Sequence, residues 1–130
     1  MKTKNHTVLV IEDEELLLKA IARKLKLNGL SFILSASGTQ AFKILKEVKK
    51  LPDAIWLDYY LNDMNGLEFM NALRKNDKWF HIPTIVVSNS ASNDKVKNML
   101  ALGVKKYYLK AEKRLDDVIT YVKEFVGKTA

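Results

Sequence analysis

The chain contains no cysteine among its 130 residues, so disulfide scaffolds and thiolate metal sites are excluded. It also has no apolar run of the roughly 18 residues that a membrane-spanning helix needs. The apolar stretch behind the basic N-terminus is too short for a signal peptide. From these features we expect a cytoplasmic protein that works in a reducing compartment and has no membrane partner.

Arginine is also scarce, because few of the 22 basic residues are arginine although the net charge is +7. Such a surplus favours anionic partners, including nucleic acid. Proteins that distinguish bases depend strongly on arginine, however, and no segment is left over for a recognition helix. We therefore expect no direct nucleic-acid partner and attribute most of the charge to a lysine-rich solvated surface.

Short apolar runs alternate with amphipathic helical patterns five times along the chain. The first predicted strand covers Thr7 to Ile11, and the others lie in LSFILSAS, DAIWLD, IPTIVVSNS and VKKYYLK. Strands that are apolar throughout, alternating with helices, favour a parallel sheet covered on both faces. Five units are too few for an eight-fold barrel. The pattern predicts an α/β fold, a doubly wound five-stranded parallel sheet of order 2-1-3-4-5 with five helices, as in flavodoxin-like proteins.

Helix boundaries are marked by residues with well-understood preferences. Gly29 and Gly103 are placed to end the first and fourth helices. Ser37 or Thr39 is suited to cap the second helix, whose apolar pattern runs from Ala41 to Val48, and Ser92 is suited to cap the fourth. The 48% hydrophobic content supports a folded core, and we see no linker, repeat or second domain. We therefore assign residues 1–130 to a single domain.

Polar residues follow the predicted strands where a ligand crevice is expected. In open α/β sheets this crevice lies outside the carboxyl ends of the strands. Glu12 and Asp13 follow strand one, and Asp58 follows strand three. Ser88 ends strand four and Lys110 ends strand five. Because neighbouring strands lie about 5 Å apart, we expect the three carboxylates to share one small site.

Three crowded carboxylates repel each other, so at least one pKa should be raised unless a cation is present. Hard oxygen ligands favour Mg²⁺ or Ca²⁺, and a site with few protein ligands favours Mg²⁺. Lys110 adds a fixed positive charge and Ser88 a hydroxyl, which suits a phosphoryl group carried by Asp58. Taken singly, each acid also fits a loop start or helix cap, and Ser88 and Lys110 fit an ordinary surface. The prediction depends on their combination.

With these residues in view, the chain resembles the receiver domains of two-component response regulators, such as the single-domain chemotaxis regulator. The stretches VLVIEDEELL, LPDAIWLDYYLNDMNGLEFM, IPTIVVSNSAS and GVKKYYLKAE carry the resemblance. It covers about residues 6–126, which would be the core of a single receiver domain. The resemblance implies a phosphoryl donor, either a histidine kinase or a phosphotransfer protein, and a downstream protein target. It also implies Mg²⁺ as cofactor and self-catalysed phosphoryl transfer and autodephosphorylation rather than ordinary enzyme activity.

The resemblance also implies roles for individual residues. Asp58 would be the phosphoacceptor and a metal ligand, with Asp13 binding Mg²⁺ directly and Glu12 acting through a water. The backbone carbonyl of Tyr60 would complete the protein ligands. The remaining roles are phosphoryl binding by Ser88 and Lys110, and switching by Ser88 and Tyr107.

The segment between Ser88 and Lys110 is the expected bistable element, because both residues must reposition to bind a phosphoryl group. Its outer face carries several lysines, among them Lys95, Lys105 and Lys106. This basic face fits an acidic partner as well as it fits a merely solvated surface. Whether the domain forms a homodimer through its last helix–strand–helix face stays open.

Four positions depart from the family pattern. Ala111 replaces the proline that usually follows a cis bond, so we predict a trans Lys110–Ala111 bond and a shifted loop, because a non-proline cis bond costs about 3–4 kcal/mol. Asn62 replaces a common proline, which loosens the loop after Asp58. Asn89 stands where a very small residue is usual, and Tyr60 puts a large ring near the phosphorylation site.

Two alternatives to the switch remain. The first is a constitutive protein-binding scaffold of the same fold that no longer turns over phosphate, for which Asn89 and Ala111 leave room. The second is a Mg²⁺-dependent phosphatase that uses Asp58 as nucleophile. Such enzymes need an acid/base carboxylate two residues after the nucleophile, where this chain has Tyr60. The second alternative therefore ranks low.

The ring of Tyr60 is expected to shield an acyl phosphate on Asp58 from water and to slow autodephosphorylation. Replacing it by a small polar residue, Tyr60→Asn, should therefore shorten the phosphoryl lifetime. The measurement is the decay of the phosphorylated protein after the donor is removed. An unchanged lifetime in the variant would contradict this role.

Overall fold

Five parallel strands form one sheet in the computed structural model, which describes residues 5–128. The order β2-β1-β3-β4-β5 is the predicted one. The strands are β1 (Thr7–Ile11), β2 (Ser31–Ser35), β3 (Ala54–Leu57), β4 (Thr84–Ser88) and β5 (Lys106–Leu109). Of the domain assigned to 1–130, residues 1–4 and 129–130 lie outside the described part.

Five helices connect and follow these strands. They are α1 (Glu15–Leu27), α2 (Gly38–Glu47), α3 (Gly66–Lys75), α4 (Asn93–Ala101) and α5 (Leu115–Lys128). Every strand therefore alternates with a helix, which is the chain order that a parallel sheet requires. The predicted α/β fold class is confirmed. Within residues 5–128, no helix is long and apolar enough to cross a membrane.

The core consists of two apolar layers, one on each face of the sheet. Val8 and Val10 of β1 point to the layer formed with α1 and α5, whereas Leu9 and Ile11 point to the layer formed with α2, α3 and α4. Because side chains alternate along a strand, covering both faces buries all four positions, which have no exposed surface. This explains why the strands show continuous apolar runs.

The predicted helix caps are largely confirmed. The Ser37 side chain accepts the Gln40 N–H at the start of α2, and Ser92 accepts the Lys95 N–H at the start of α4. Gly29 and Gly103 adopt positive φ angles of 76° and 90°, a region that glycine enters without a steric penalty. No described peptide bond is cis, so the Lys110–Ala111 bond is trans as predicted.

Two boundaries differ from the sequence-based expectation. The predicted second helix includes Val48, but α2 ends at Glu47. Val48 is the C-cap residue and has an extended backbone. At α1 the N-cap residue is Glu14, and its side chain makes no capping hydrogen bond. Neither Glu12 nor Asp13 is therefore the N-cap of α1, although each acid taken alone would also fit a helix cap.

Arg74 ties together the loops at the end of the sheet opposite the predicted site. Its guanidinium donates hydrogen bonds to the carbonyls of Leu102 and Phe80, both at 2.7 Å, and to those of Ile82 and Gly103, both at 3.3 Å. One planar group thus links α3 to the loops before β4 and β5. This fork of donors is a property of arginine that lysine lacks.

Replacing Arg74 by alanine should lower the free energy of unfolding by about 1.5–3 kcal/mol, because charged hydrogen bonds to several carbonyls are lost together. Chemical denaturation provides the measurement. Arg74→Lys should recover only part of the loss, and exposed Lys75→Ala should change stability by less than about 0.5 kcal/mol. Equal stabilities of Arg74→Ala and Lys75→Ala would contradict the structural role of the guanidinium.

Candidate functional site

The ends of β1 and β3 bring three carboxylates together. Hydrogen bonds continue past both strands, from the Glu12 N–H to the Ser35 carbonyl and from the Asp58 N–H to the Ile11 carbonyl, each 3.0 Å. One oxygen each of Glu12, Asp13 and Asp58 lies within 4.8 Å of the others. The predicted acidic cluster is therefore present at the predicted edge.

Burial makes this cluster electrostatically demanding. Glu12 is only 2% exposed and Asp58 only 6%, whereas Asp13 is half-buried. Burial, with the neighbouring charge of Glu12 as the next cause, raises the pKa of Asp58 to about 7, although Lys110 acts in the opposite direction. The sequence predicted such a shift for at least one of these acids.

Lys110 supplies the positive charge at this edge. The N–H of Lys110 donates to the Ser88 carbonyl at 2.8 Å, which fixes its backbone beside the end of β4. Its ammonium lies 2.8 Å from Glu12 Oε1 and 3.6 Å from Asp58 Oδ2. Burial lowers the pKa of Lys110, but the hydrogen bond to Glu12 and the charge of Asp58 outweigh this effect and raise it. The nearer partner is therefore Glu12 and not Asp58.

Ser88 and Tyr107 occupy the neighbouring strands. Ser88 is fully buried, and its hydroxyl oxygen accepts the Ser90 N–H at 3.4 Å. Tyr107 is half-buried on β5, and its hydroxyl donates to the Ser90 carbonyl at 2.7 Å. Burial is the main cause of the raised pKa of Tyr107. Both residues thus contact the first turn of the loop after β4.

Tyr60 lies at the rim of the site, on the loop between β3 and α3. Its side chain is 48% exposed, and its backbone forms an isolated antiparallel bridge with Asn65. The side chain of Asn65 accepts the Glu68 N–H, and Glu68 reaches back to the Asn65 N–H, which forms a capping box at the start of α3. The spacing N-x-x-E in the sequence is a signal from which this cap could have been predicted.

Two further residues of this region were not singled out from the sequence as site residues. Asp63 accepts the N–H groups of Gly38 and Thr39 at 3.0 and 2.8 Å, so the loop after β3 is anchored to the start of α2. A hydrogen bond from Thr39 is the main cause of the lowered pKa of Asp63.

Lys95 was expected on the outer basic face, but it is half-buried against Tyr59 and Tyr60. No local pattern indicates either contact, because the partners are distant in sequence.

The donor set suits a magnesium ion. The cluster offers only carboxylate oxygens, without sulfur or imidazole, and its three acids need a compensating charge that a single lysine does not fully supply. Mg²⁺ prefers such hard oxygen ligands and retains several waters. This is therefore an α/β protein with a site at the open edge of its sheet. The acidic, hydroxyl and ammonium groups of that site are compatible with a metal ion and a phosphoryl group.

Comparison with known proteins identifies the family. The model of the response regulator receiver domain matches residues 8–123, and the chain belongs to this family. It is 37% identical over 90 residues to the transcriptional regulatory protein KdpE of Mycobacterium tuberculosis, covering 68% of this chain and 38% of KdpE. It is 32% identical over 82 residues to the polar-differentiation response regulator DivK of Brucella anthropi, covering 63% of this chain and 65% of DivK. The chain thus spans less than two thirds of either relative.

The fold is shared with solved receiver structures. A Francisella response regulator receiver domain superposes with a TM-score of 0.86 at 24% identity, covering 97% of this chain and all of that one. Receiver domains are generally non-enzymatic signalling modules, and they typically bind Mg²⁺ at an acidic pocket. In this chain Glu12, Asp13 and Asp58 form an acidic cluster at the carboxyl edge of the sheet.

The raised pKa of Asp58 gives stability a specific pH dependence when no divalent ion is present. Between its ordinary value of 3.8 and about 7, the folded protein holds a proton that the unfolded chain has lost. The free energy of unfolding therefore falls progressively as pH rises through this window, because the unfolded chain gains from ionising Asp58 and the folded protein does not. Asp58→Asn should exceed wild type in free energy of unfolding by about 2–4 kcal/mol at pH 7.5, with the gap closing toward pH 4.

Denaturation in chelator at several pH values between 4 and 8 measures this gap. Asp63→Asn is the matched control. The pKa of Asp63 is lowered, so its charge stabilises the fold above about pH 4. An asparagine amide has no such charge, so Asp63→Asn should not raise the free energy of unfolding at about pH 7.5. A variant Asp58→Asn that is no more stable than wild type at pH 7.5 would argue against a strained carboxylate. Millimolar Mg²⁺ should stabilise wild type more than Asp58→Asn.

Proposed function

We propose that this protein is the phosphorylatable receiver module of a two-component system, with Asp58 as phosphoacceptor. The observation that carries the proposal is the grouping of three carboxylates within 4.8 Å beside the Lys110 ammonium. Over about residues 6–126 the chain would form one receiver domain that acts in the cytoplasm. Its donor would be a histidine kinase or a phosphotransfer protein.

Asp58 is the best placed of the three acids to carry the phosphoryl group. It directly follows the central strand β3, shares the cluster with Glu12 and has the Lys110 ammonium 3.6 Å away. In the transfer, a carboxylate oxygen of Asp58 forms a bond to phosphorus while the phosphorus–nitrogen bond of the donor phosphohistidine breaks. The donor imidazole keeps that electron pair. Asp58 must be ionised to attack, so a cation that competes with its proton favours the reaction.

Mg²⁺, when bound, would neutralise the carboxylates and the transferring phosphoryl oxygens. Asp13 and Asp58 would be its direct ligands, together with the Tyr60 backbone carbonyl, and Glu12 would act through a water. Lys110 would exchange its present partner Glu12 for a phosphoryl oxygen. This exchange costs little, because Mg²⁺ replaces the positive charge that Glu12 loses.

Phosphorylation would switch the segment between β4 and β5. A phosphoryl group adds about −1.5 to −2 charge and new acceptor oxygens. Ser88 would donate its hydroxyl to one of these oxygens. Because the Ser90 N–H contacts Ser88 and the Tyr107 hydroxyl contacts the Ser90 carbonyl, movement of Ser88 would reach Tyr107 through a single residue. The outer surface of this segment would then meet a downstream protein target or a second copy of the domain.

Intact-mass measurement after incubation with acetyl phosphate and Mg²⁺ tests the assignment. Wild type should gain the mass of one phosphoryl group, and chelator should abolish the gain. Asp58→Ala should remain unmodified, whereas Asp63→Ala, which removes a nearby acid outside the cluster, should still be phosphorylated. Absence of an adduct on wild type, or an equal adduct on Asp58→Ala, would refute the assignment and favour a constitutive scaffold.

A further inference from the structure

The ammonium of Lys95 lies against two aromatic rings at the rim of the acidic site. It is 4.5 Å from the centre of the Tyr60 ring and 5.1 Å from the centre of the Tyr59 ring. It also contacts the Tyr60 hydroxyl and lies 3.5 Å from Ser90 Oγ. The ammonium meets Tyr60 at the hydroxyl end of its ring, and together with the Tyr59 ring and Ser90 Oγ this contact gives Lys95 a preferred position.

These contacts join the two loops that flank the phosphoacceptor. Tyr60 is two residues beyond Asp58 on the loop after β3, and Ser90 is two residues beyond Ser88 on the loop after β4. Lys95 itself belongs to the first turn of α4, whose start is fixed by the cap at Ser92. The side chain therefore forms a bridge from α4 to both loops.

No acidic side chain accounts for the position of Lys95. Among residues 5–128, no carboxylate lies within ion-pair distance of its ammonium, in contrast to Lys19, Lys24 and Lys110. Lys95 is half-buried, and its ammonium contacts aromatic rings and hydroxyl oxygens. The bridge thus depends on aromatic rings and hydroxyl oxygens of the two loops and not on an ion pair.

We propose that Lys95 is a positioning residue that holds the Tyr60 ring across the entrance to Asp58 and thereby lengthens the lifetime of the acyl phosphate. The inference rests on the proposed phosphorylation of Asp58. In the hydrolysis that it slows, a water oxygen bonds to phosphorus and the bond between phosphorus and the Asp58 oxygen breaks. That oxygen keeps the electron pair, and the water gives up a proton to solvent.

Removing the bridge should shorten the phosphoryl lifetime. In Lys95→Met, Tyr60 loses its cationic partner and water reaches Asp58 more often, so we expect decay about three- to fivefold faster than in wild type. Lys95→Arg should restore the wild-type lifetime, because a guanidinium also stacks on aromatic rings. Lys97→Met removes an exposed lysine from the same helix and should leave the decay unchanged.

A double-mutant cycle with Tyr60→Asn tells positioning apart from direct contact. If Lys95 acts through the Tyr60 ring, Lys95→Met should have no further effect once Tyr60 is asparagine. If Lys95 binds the phosphoryl group itself, its removal should accelerate decay equally in both backgrounds. An additive cycle, or a Lys95→Met lifetime equal to that of wild type, would overturn the proposal.

Amide hydrogen exchange gives a readout that does not need phosphorylation. Peptides covering residues 59–64 should exchange faster in Lys95→Met than in wild type, while peptides from α1 should not change. Failure of wild type to accept a phosphoryl group would refute the proposed function and not the bridge. Unchanged exchange in residues 59–64 would refute the bridge even in a protein that is phosphorylated normally.

Discussion

Repulsion among three carboxylates at the carboxyl edge of the sheet is the constraint around which this molecule is organised. Two of the acids, Glu12 and Asp58, are nearly completely buried, so water screens their charges poorly. The Lys110 ammonium offsets part of the repulsion, but it lies nearer to Glu12 than to Asp58. Burial, followed by the charge of Glu12, therefore raises the pKa of Asp58 to about 7, so near neutral pH either a proton or a cation can neutralise this carboxylate.

The surrounding loops hold this strained site in place. Asp63 anchors the loop after β3 to the first turn of α2, and the capping box of Asn65 and Glu68 fixes where α3 begins. Lys95 connects the same loop to α4, whereas Tyr107 contacts the loop after β4 through Ser90. Besides the apolar packing of α4, the region expected to change on phosphorylation is thus held by side-chain contacts. Such contacts exchange partners at low cost, which a switch requires.

Local patterns in the sequence predict the structure correctly where they reflect a global rule. The apolar runs and helical periodicity predicted the parallel sheet, because strands covered on both faces have no polar side. The strand order was predicted from the arrangement common to doubly wound sheets of this size. The grouping of Glu12, Asp13 and Asp58 followed from the rule that parallel strands end at one edge. The prediction that Val48 lies inside the second helix was wrong by one residue, because an apolar pattern locates a helix end only to within one or two residues.

The sequence by itself determined the fold class, the edge at which the acids meet and the chemical types present there, because all three depend on local periodicity and on strand ends. Only the tertiary structure decided that Lys110 pairs with Glu12, that Asp63 caps a helix 24 residues away and that Lys95 covers Tyr60 from 35 residues away. Each of these depends on which rotamer and which loop path brings two distant polar groups into reach. Several partners compete for such groups at similar energies, so no local pattern specifies the outcome.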